Sequence, residues 1–394
     1  MTRHGLNLKI AWVLCVFAHF PSASAAEVRV SGDAQLRAAL GKLQPGTTVL
    51  IAPGTYRGGV YIRGASGTRG QRITVRGADP EKPPLFTGGS QALHLVECNY
   101  LTLAHVRAKG FSTNGINVDD GGSKDTPSRG IVIEGVEVLD TGPKGNHDAL
   151  KMSGVDEFAV RGCAFAGWGG SGIDMVGCHD GTVEKCRFEG KPGFSQSNAI
   201  QMKGGTARIL VHMNFFRNVG QRAINLGGST GLQFFRPEVG DFEAKDITVA
   251  GNRFTGGVCA LAWVTADGGR VHHNTIHLPE KWVLRVLQET KDPRFKPSHG
   301  GVFERNLVVF DRRVSTFVNV GTGTRPESFT FRDNAWFEVG GKRRPRLPAA
   351  ETGGVYGVDP KLEKPGTAEM KVTEPKLSGY GADAYEPPRA VKRD

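Results

Sequence analysis

The feature that most constrains this chain is a short segment that recurs from about residue 160 onward. Each copy carries an apolar or β-branched residue, two mostly polar residues, a fixed Asn or Cys, and a large apolar residue shortly afterwards. The fixed positions are Cys163, Cys186, Asn214, Asn252, Asn274, Asn306 and Asn334. Such self-similarity is typical of a solenoid, and the β-branched and glycine content favours strands over helices. We therefore predict an all-β fold, a parallel β-helix.

The recurring asparagine predicts a ladder inside the solenoid. An Asn at the same point of each coil can donate to one neighbouring coil and accept from the other. A small buried Cys can fill the same position in the earlier copies. We expect the five asparagines from Asn214 to Asn334 to form this ladder.

A second strand family begins at about residue 111, in segments such as NGINVDD, HDALKMS, SGIDMVG and NAIQMKG. Its aligned Ile, Leu and Met residues form two columns that face the core, because side chains alternate along a strand. The column between them must face outward. It contains Asn117, Lys151, Asp174, Gln201, Asn225, Ala262, Arg285 and Asn319.

Two further columns flank this polar strip. Lys203 lies in the next outward column on one side. On the other side the small residues Ala149, Gly172, Ala199 and Ala223 are also expected to face outward and to leave room for a ligand against the sheet.

The chain divides into four regions. Residues 1–26 have the basic start, apolar run and small residues of a signal peptide, which predicts a secreted or periplasmic protein. Residues 27–45 predict a short N-terminal capping helix, residues 46–340 the β-helix, and residues 341–394 a C-terminal cover. The five cysteines after residue 26 are an odd number at coil-like spacing, so we interpret them as core residues rather than disulfides.

The charge of the chain suggests its partner. A formal charge of +11 and a pI near 9.4 attract acidic molecules. For an exported protein without a nucleic-acid motif, an acidic polysaccharide is favoured over nucleic acid. No run after the N-terminal segment approaches the length of a membrane span, and we expect a monomer.

Three segments resemble a known family: PGTYRGGVYIRG, ITVRGADPEKPPLFTGG and NAIQMKGGTARILVHMNFFRN. They are similar to the chondroitinase B and alginate lyase family of polysaccharide lyases, within the pectate-lyase-like β-helix superfamily, over roughly residues 45–230. The resemblance implies a right-handed β-helix that cleaves a uronic-acid polymer by β-elimination. It also implies that Lys203 is the catalytic base, with Arg222 as the nearest match to the family's arginine.

The resemblance does not extend to a cofactor. Many members bind calcium through glutamates, but Ser195, Gln196, Ser197 and Asn198 stand just before the corresponding strand here. Calcium is therefore possible but unassigned, and no metal ligands are predicted.

The chemistry of a lyase fits the polar strip. The enzyme removes the proton at C5 of the uronate, expels the oxygen at C4, and needs cations to offset charge on the carboxylate. Lys151 and Lys203 are two coils apart, about 10 Å across the strands, which suits neighbouring sugar units. His147 is an alternative acid or base, as is His179. The predicted substrate-binding residues are Lys151, Asp174, Gln201, Asn225, Arg285, Asn198 and Asp148.

Three other functions remain open. A glycoside hydrolase could use carboxylates on neighbouring coils, where Asp119, Asp120, Asp148 and Asp174 lie. A C5-epimerase would share the proton abstraction. A non-catalytic protein could hold an acidic glycan through Lys151, Lys203 and Arg285. The polymer, and endo or exo action, have no recognisable code in the sequence.

Overall fold

The structure is a computed structural model that describes Met1 and residues 26–388. Three long sheets, here named A, B and C, wind around one hydrophobic core, and successive strands within each sheet pair in parallel. The prediction of an all-β parallel β-helix is confirmed. Most of the predicted signal peptide lies outside the described residues.

Sheet A has 16 strands. They are Glu27–Val30, Thr48–Ile51, Ile73–Gly77, Leu101–Ala104, Ser128–Arg129, Val132–Glu134, Val155–Asp156, Ala159–Arg161, His179–Glu184, Thr206–His212, Ala244–Ala250, Ala266–Asp267, Arg270–His272, Val302–Glu304, Thr330–Arg332 and Glu351–Thr352.

Sheet B has 12 strands. They are Thr55–Arg57, Leu85–Thr87, Arg107–Lys109, Glu137–Leu139, Ala164–Ala166, Arg187–Glu189, Phe215–Arg217, Arg253–Thr255, Thr275–His277, Leu307–Phe310, Ala335–Glu338 and Val355–Tyr356.

Sheet C has 10 strands and carries the polar strip. They are Val60–Arg63, Leu93–Val96, Ile116–Asp119, Leu150–Ser153, Ser171–Val176, Asn198–Lys203, Arg222–Gly227, Cys259–Val264, Trp282–Leu287 and Val318–Val320.

The ends of the solenoid differ in detail from the sequence expectation. A capping helix is present at Asp33–Leu40, with Leu36 and Leu40 buried against the core. The strand Glu27–Val30 precedes it and pairs with Thr48–Ile51, so the N-terminal region also extends sheet A. At the other end, strand pairing continues past residue 340 to Tyr356.

Four short 3₁₀ turns and no long helix complete the described chain. The 3₁₀ turns are Leu232–Phe234, Pro326–Ser328, Pro375–Leu377 and Ala382–Ala384. Within the described residues, no helix has the length and apolar character needed to cross a membrane.

The asparagine ladder is present and runs in one direction. The Nδ2 of Asn252 donates to Oδ1 of Asn274 at 2.9 Å, and Oδ1 of Asn252 accepts from Nδ2 of Asn214 at 3.0 Å. The same pattern continues through Asn306 to Asn334. At the C-terminal end, Asn334 donates to the carboxylate of Glu351 at 2.7 Å. The ladder thus satisfies buried amides coil by coil, as predicted.

Aromatic rings and cysteines fill other parts of the core. Four phenylalanines stack in the interior at centroid distances of 5.0, 4.9 and 4.7 Å; they are Phe165, Phe188, Phe216 and Phe254. The five cysteines of the described chain are buried and free of disulfides. Burial raises the pKa of the Cys98 thiol to about 11, as expected for an inert core residue.

Candidate active site

The polar strip predicted from the sequence exists as one row of sheet C. Lys151 pairs in register with Asp174, Asp174 with Gln201, and Gln201 with Asn225. Ala262 and Arg285 continue the row. The alternate residues Met152, Met175 and Met202 are fully buried. The two inward columns and the central outward row were therefore predicted correctly, although Asn117, Asp174, Asn225 and Ala262 of that row are buried by their neighbours.

The small-residue column was predicted on the wrong face. Ala149, Ala199 and Ala223 belong to the hydrophobic core, and a Cβ built on Gly172 would meet the ring of Phe188 inside the solenoid. Alternation fails here because each strand starts at a corner, where Ala223 and Ile224, for example, both face the core.

This corner explains the position of Arg222. With strict alternation Arg222 would face the core, as Ile224 does two residues later. Instead its Nη1 donates to Oδ1 of the outward-facing Asn225 at 3.1 Å, and its Nη2 lies 3.0 Å from Oε1 of Glu289. Arg222 therefore reaches the outer face of sheet C.

The centre of the row is a cluster of two lysines around one buried carboxylate. Lys151 Nζ lies 2.9 Å from Oδ2 of Asp174, and Lys203 Nζ lies 3.1 Å from Oδ1. Lys151 also contacts Oδ2 of Asp148 at 3.1 Å. The two lysines start two coils apart, but their long side chains converge on Asp174 in the coil between them. The expectation that they serve separate sugar units is wrong, because both ammonium groups share one carboxylate.

Burial and charge divide the two carboxylates. Burial raises the pKa of Asp148 to about 6, and the neighbouring Asp174 charge adds to the rise. Burial would also raise the pKa of Asp174, but Lys203 and Lys151 outweigh it and hold that pKa below the usual range. Burial alone would lower the pKa of Lys151, yet the two carboxylates raise it above its usual value. Lys151 therefore remains a cation at neutral pH.

A second polar group continues the row from Lys203. Lys203 Nζ donates to Oε1 of Gln201 at 3.2 Å, and Gln201 neighbours Asn225, the partner of Arg222. Three atoms on these strands have no hydrogen-bond partner in the described structure: Asn198 Oδ1, Arg222 Nε and Asn225 Nδ2. All three atoms are buried.

A loop from the insertion after Gly227 walls the cluster. It encloses a pocket of about 290 Å³ whose lining includes Lys151, Asp174, Lys203, Phe234 and Arg236. The loop is held at both ends. Arg236 pairs with the buried carboxylate of Asp120 at 2.6 Å. Glu243 is fully buried, and its carboxylate accepts hydrogen bonds from the loop at Thr230 and from Thr290.

The remaining predicted site residues lie around this pocket. Arg285 is in the row, stacked over Trp282 at 4.5 Å and bonded to Asn319; burial and the Arg222 charge lower its pKa. Asn198 is buried and aligned with Arg222.

The contacts of the two candidate histidines are with other groups. His147 lies against Gly142, and its Nδ1 lacks a partner in the described structure. His179 is on sheet A, where it contacts Asp156 and the carbonyl of Gly205.

Within residues 26–388, no group of three or more His, Cys, Asp or Glu side chains is arranged to hold a metal ion. Lys151, Lys203 and Arg222 have carboxylates as partners, whereas Arg285 is bonded to Asn319. The structure thus places ammonium and guanidinium groups along the outer face of sheet C.

Several residues at the site were not found from the sequence. Glu289 comes from an insertion without periodicity, so no alignment of coils could place it. Tyr61 and His94 continue the outward row toward the N-terminus. Extending the column alignment to VYIR and LHLV would have found them.

Comparison with known proteins supports the fold. Residues 91–279 match the family model described as a right handed beta helix region. No curated protein sequence matches the chain.

Solved structures with a similar course include an alginate lyase from Paenibacillus sp. strain FPU-7, with 15% identity over 76% of this chain and 97% of that one and a TM-score of 0.46. Pectate lyase Pel9A has 12% identity over 77% and 79% of the two chains, with a TM-score of 0.49. A GH136 lacto-N-biosidase from Eubacterium ramulus has 13% identity over 84% and 68%, with a TM-score of 0.51. Identities this low bear on the fold alone, and the fold is a right-handed parallel β-helix.

Proposed function

We propose that the protein is an exported carbohydrate-active enzyme that cleaves a uronic-acid-containing polysaccharide by β-elimination. The observation that carries this proposal is the lysine pair at the pocket. Lys151 and Lys203 are fixed by Asp174, whose side chain is fully buried, while their own side chains are 26% and 14% exposed. The buried carboxylate therefore orients two partly accessible ammonium groups toward the same space.

The row suits an acidic polymer. Between Lys151 and Arg285, the row and the positions beside it carry the cationic side chains Lys151, Lys203, Arg222 and Arg285. Cations near the substrate carboxylate offset the charge that develops when the C5 proton leaves. A substrate carboxylate would compete with Glu289 for Arg222.

The reaction assigns one role to each group. Lys203 first releases its ammonium proton to solvent; the neutral amine then takes the C5 proton, and the electrons of that C–H bond form the C4–C5 double bond as the C4–O bond breaks. The leaving oxygen takes a proton from solvent, which balances the proton that Lys203 released and gives a shortened chain and an unsaturated uronate. Lys151, which stays charged, and Arg222 neutralise the uronate carboxylate.

Hydrolysis is the second candidate, because Asp148 and Asp174 have pKa values shifted in opposite directions, as an acid and base pair requires. Their Oδ2 atoms contact Lys151 Nζ at 3.1 and 2.9 Å, so the two oxygens are near each other. However, both side chains are fully buried, and Lys151 and Lys203 occupy the oxygens of Asp174. We therefore give them the role of positioning the lysines.

The test is a screen of the purified protein against alginate, pectate, chondroitin, dermatan and glucuronan. A lyase produces ultraviolet absorbance from the new double bond. Reducing ends without that absorbance would show a hydrolase, and a changed uronate without chain shortening would show an epimerase. Binding without turnover would leave a non-catalytic glycan-binding protein.

The base is tested by Lys203→Gln, which can still donate a hydrogen bond to Asp174 but cannot accept the proton. We expect turnover to fall by about 100-fold or more. Lys124→Ala, in the loop beyond the strip, is the matched control and should keep its activity. Near-normal turnover of Lys203→Gln would rule out Lys203 as the base. N-terminal sequencing of the exported protein tests cleavage near Ala26.

A further inference from the structure

The outward row does not end at Lys151. Toward the N-terminus it continues through Asn117 and His94 to Tyr61, each in register with the next. These three steps place Tyr61 about 14 Å from Lys151 along the sheet. Tyr61 is 56% exposed, on a strand whose neighbours Val60 and Ile62 are buried. An accessible aromatic ring therefore lies in line with the lysine cluster.

A chain of hydrogen bonds connects the ring to that cluster. The hydroxyl of Tyr61 accepts from Gln91 Nε2 at 2.9 Å, and Gln91 in turn accepts from Asn117. Asn117 Oδ1 accepts from Asn114 at 2.8 Å, and Asn114 Oδ1 accepts from the backbone N–H of Asp148, also at 2.8 Å. Asp148 is the residue that contacts Lys151. One connected set of hydrogen bonds and an ion pair therefore runs from Lys151 to Tyr61, partly beneath the surface.

The ring is held in place before any ligand arrives. It packs against His94 with centroids 5.3 Å apart, and His94 is itself fixed by a contact with Asp119. A group that is already ordered loses little conformational entropy on binding. Tyr61 thus has the properties of a preformed stacking surface.

The charges at this end differ from those at the lysines. Arg63, on the same strand as Tyr61, lies 3.5 Å from Glu97, and the carboxylate of Asp119 faces His94. A uronate carboxylate placed here would meet the carboxylates of Glu97 and Asp119 and a single cation, Arg63, which is already paired. An uncharged sugar can instead lay its apolar C–H face on the ring and use the amides of Gln91 and Asn117 for its hydroxyl groups.

We propose that Tyr61, with His94, Gln91 and Asn117, forms a subsite that binds an uncharged sugar residue of the same polymer chain whose uronate lies at Lys151 and Lys203. This inference rests on the proposed function. It adds the direction in which the polysaccharide lies on sheet C and the uncharged sugar that the polysaccharide must contain. The polysaccharide extends from Lys203 toward the N-terminal coils of the protein. It must be long enough to touch Lys203 and Tyr61 together.

The test is calorimetric binding of short and long oligosaccharides prepared from the same panel of acidic polymers, in a Lys203→Gln background that prevents cleavage. Tyr61→Ala should weaken binding of long oligosaccharides roughly tenfold and leave disaccharide binding unchanged. Tyr61→Phe, which retains the ring, should bind nearly as well as the parent. Met213→Ala removes another exposed apolar side chain, away from sheet C, and should have no effect.

Salt distinguishes the subsite from the lysines. The loss caused by Tyr61→Ala should be the same at low and high ionic strength, whereas the loss caused by Lys151→Ala should shrink as salt screens charge. Chains that alternate uronate with uncharged sugars should show a larger Tyr61 effect than chains of uronate alone. Equal binding of Tyr61→Ala and the parent at every length would overturn the subsite but leave the lyase proposal standing. Failure of every acidic oligosaccharide to bind the parent would overturn both.

Discussion

The pair of buried carboxylates makes a quantitative prediction about stability. Replacing Asp148 by Asn keeps the shape of the side chain and an oxygen that can accept from the backbone N–H of Ser171, the bond now 2.7 Å long. The Asn side chain, unlike Asp148, does not ionise. Burial and Asp174 raise the pKa of Asp148 from 3.8 to about 6, a difference of roughly two units, worth about 3 kcal/mol.

The sign follows from proton binding. Between about pH 4 and pH 6 the folded protein keeps a proton on Asp148 that the unfolded chain has lost, so its contribution to the free energy of unfolding decreases as pH rises. The Asn variant has no such group. Wild-type stability minus variant stability should therefore fall by about 3 kcal/mol from pH 4 to pH 7 and then level off. The lowered pKa of Asp174 acts mainly below this window, since its stabilising effect is lost only on stronger acidification.

The assay is guanidinium unfolding of both proteins at a series of pH values, followed by far-ultraviolet circular dichroism. Asp125→Asn, at an exposed position in the loop after Asp120, is the control and should show a flat difference. A flat or rising difference for Asp148→Asn would show that burial and Asp174 do not raise the pKa of Asp148.

Two further predictions concern the asparagine ladder and the ion pair between Arg222 and Glu289. Asn252→Ala should lower the free energy of unfolding by about 3 to 5 kcal/mol, because the backbone N–H of Asn214 and the carbonyl of Val211 lose their partner in the core. Asn146→Ala, at an exposed position, should change the free energy of unfolding little. A similar effect of both variants would contradict the ladder's role. Glu289→Gln should tighten binding of acidic oligosaccharides a few-fold, most clearly at low salt, because it removes the carboxylate that competes for the guanidinium; unchanged or weaker affinity in titration calorimetry would count against that competition.

Much of the fold follows from periodicity. Asn214 and Asn252 could be placed in one ladder because each stands at the same point of its repeat. Lys151 and Gln201 could be placed on the outer face because they alternate with buried methionines. In both cases one local rule, repeated coil after coil, determines the position.

The details of the site escape that rule for two reasons. At the corners alternation stops, and this alone turns Arg222 outward. Long-range contacts have no local signal: Arg236 meets Asp120 across 116 residues, and Glu289 reaches Arg222 from another insertion. The convergence of Lys151 and Lys203 on Asp174 depends on side-chain reach, which column alignment does not contain.

The one-way direction of the asparagine ladder has a consequence for how such a chain can grow. Each Asn donates toward the C-terminus, so a coil copied within the ladder brings a donor and an acceptor that fit its new neighbours. The last position is different. Glu351 only accepts: it takes hydrogen bonds from Asn334, from Trp336 Nε1 at 2.9 Å and from the Tyr356 hydroxyl at 2.6 Å. A duplication placed between Asn214 and Asn334 therefore preserves every bond, whereas one placed after Glu351 would leave a buried coil facing a carboxylate that has nothing to donate. The protein can lengthen from within, and Glu351 marks where it must stop.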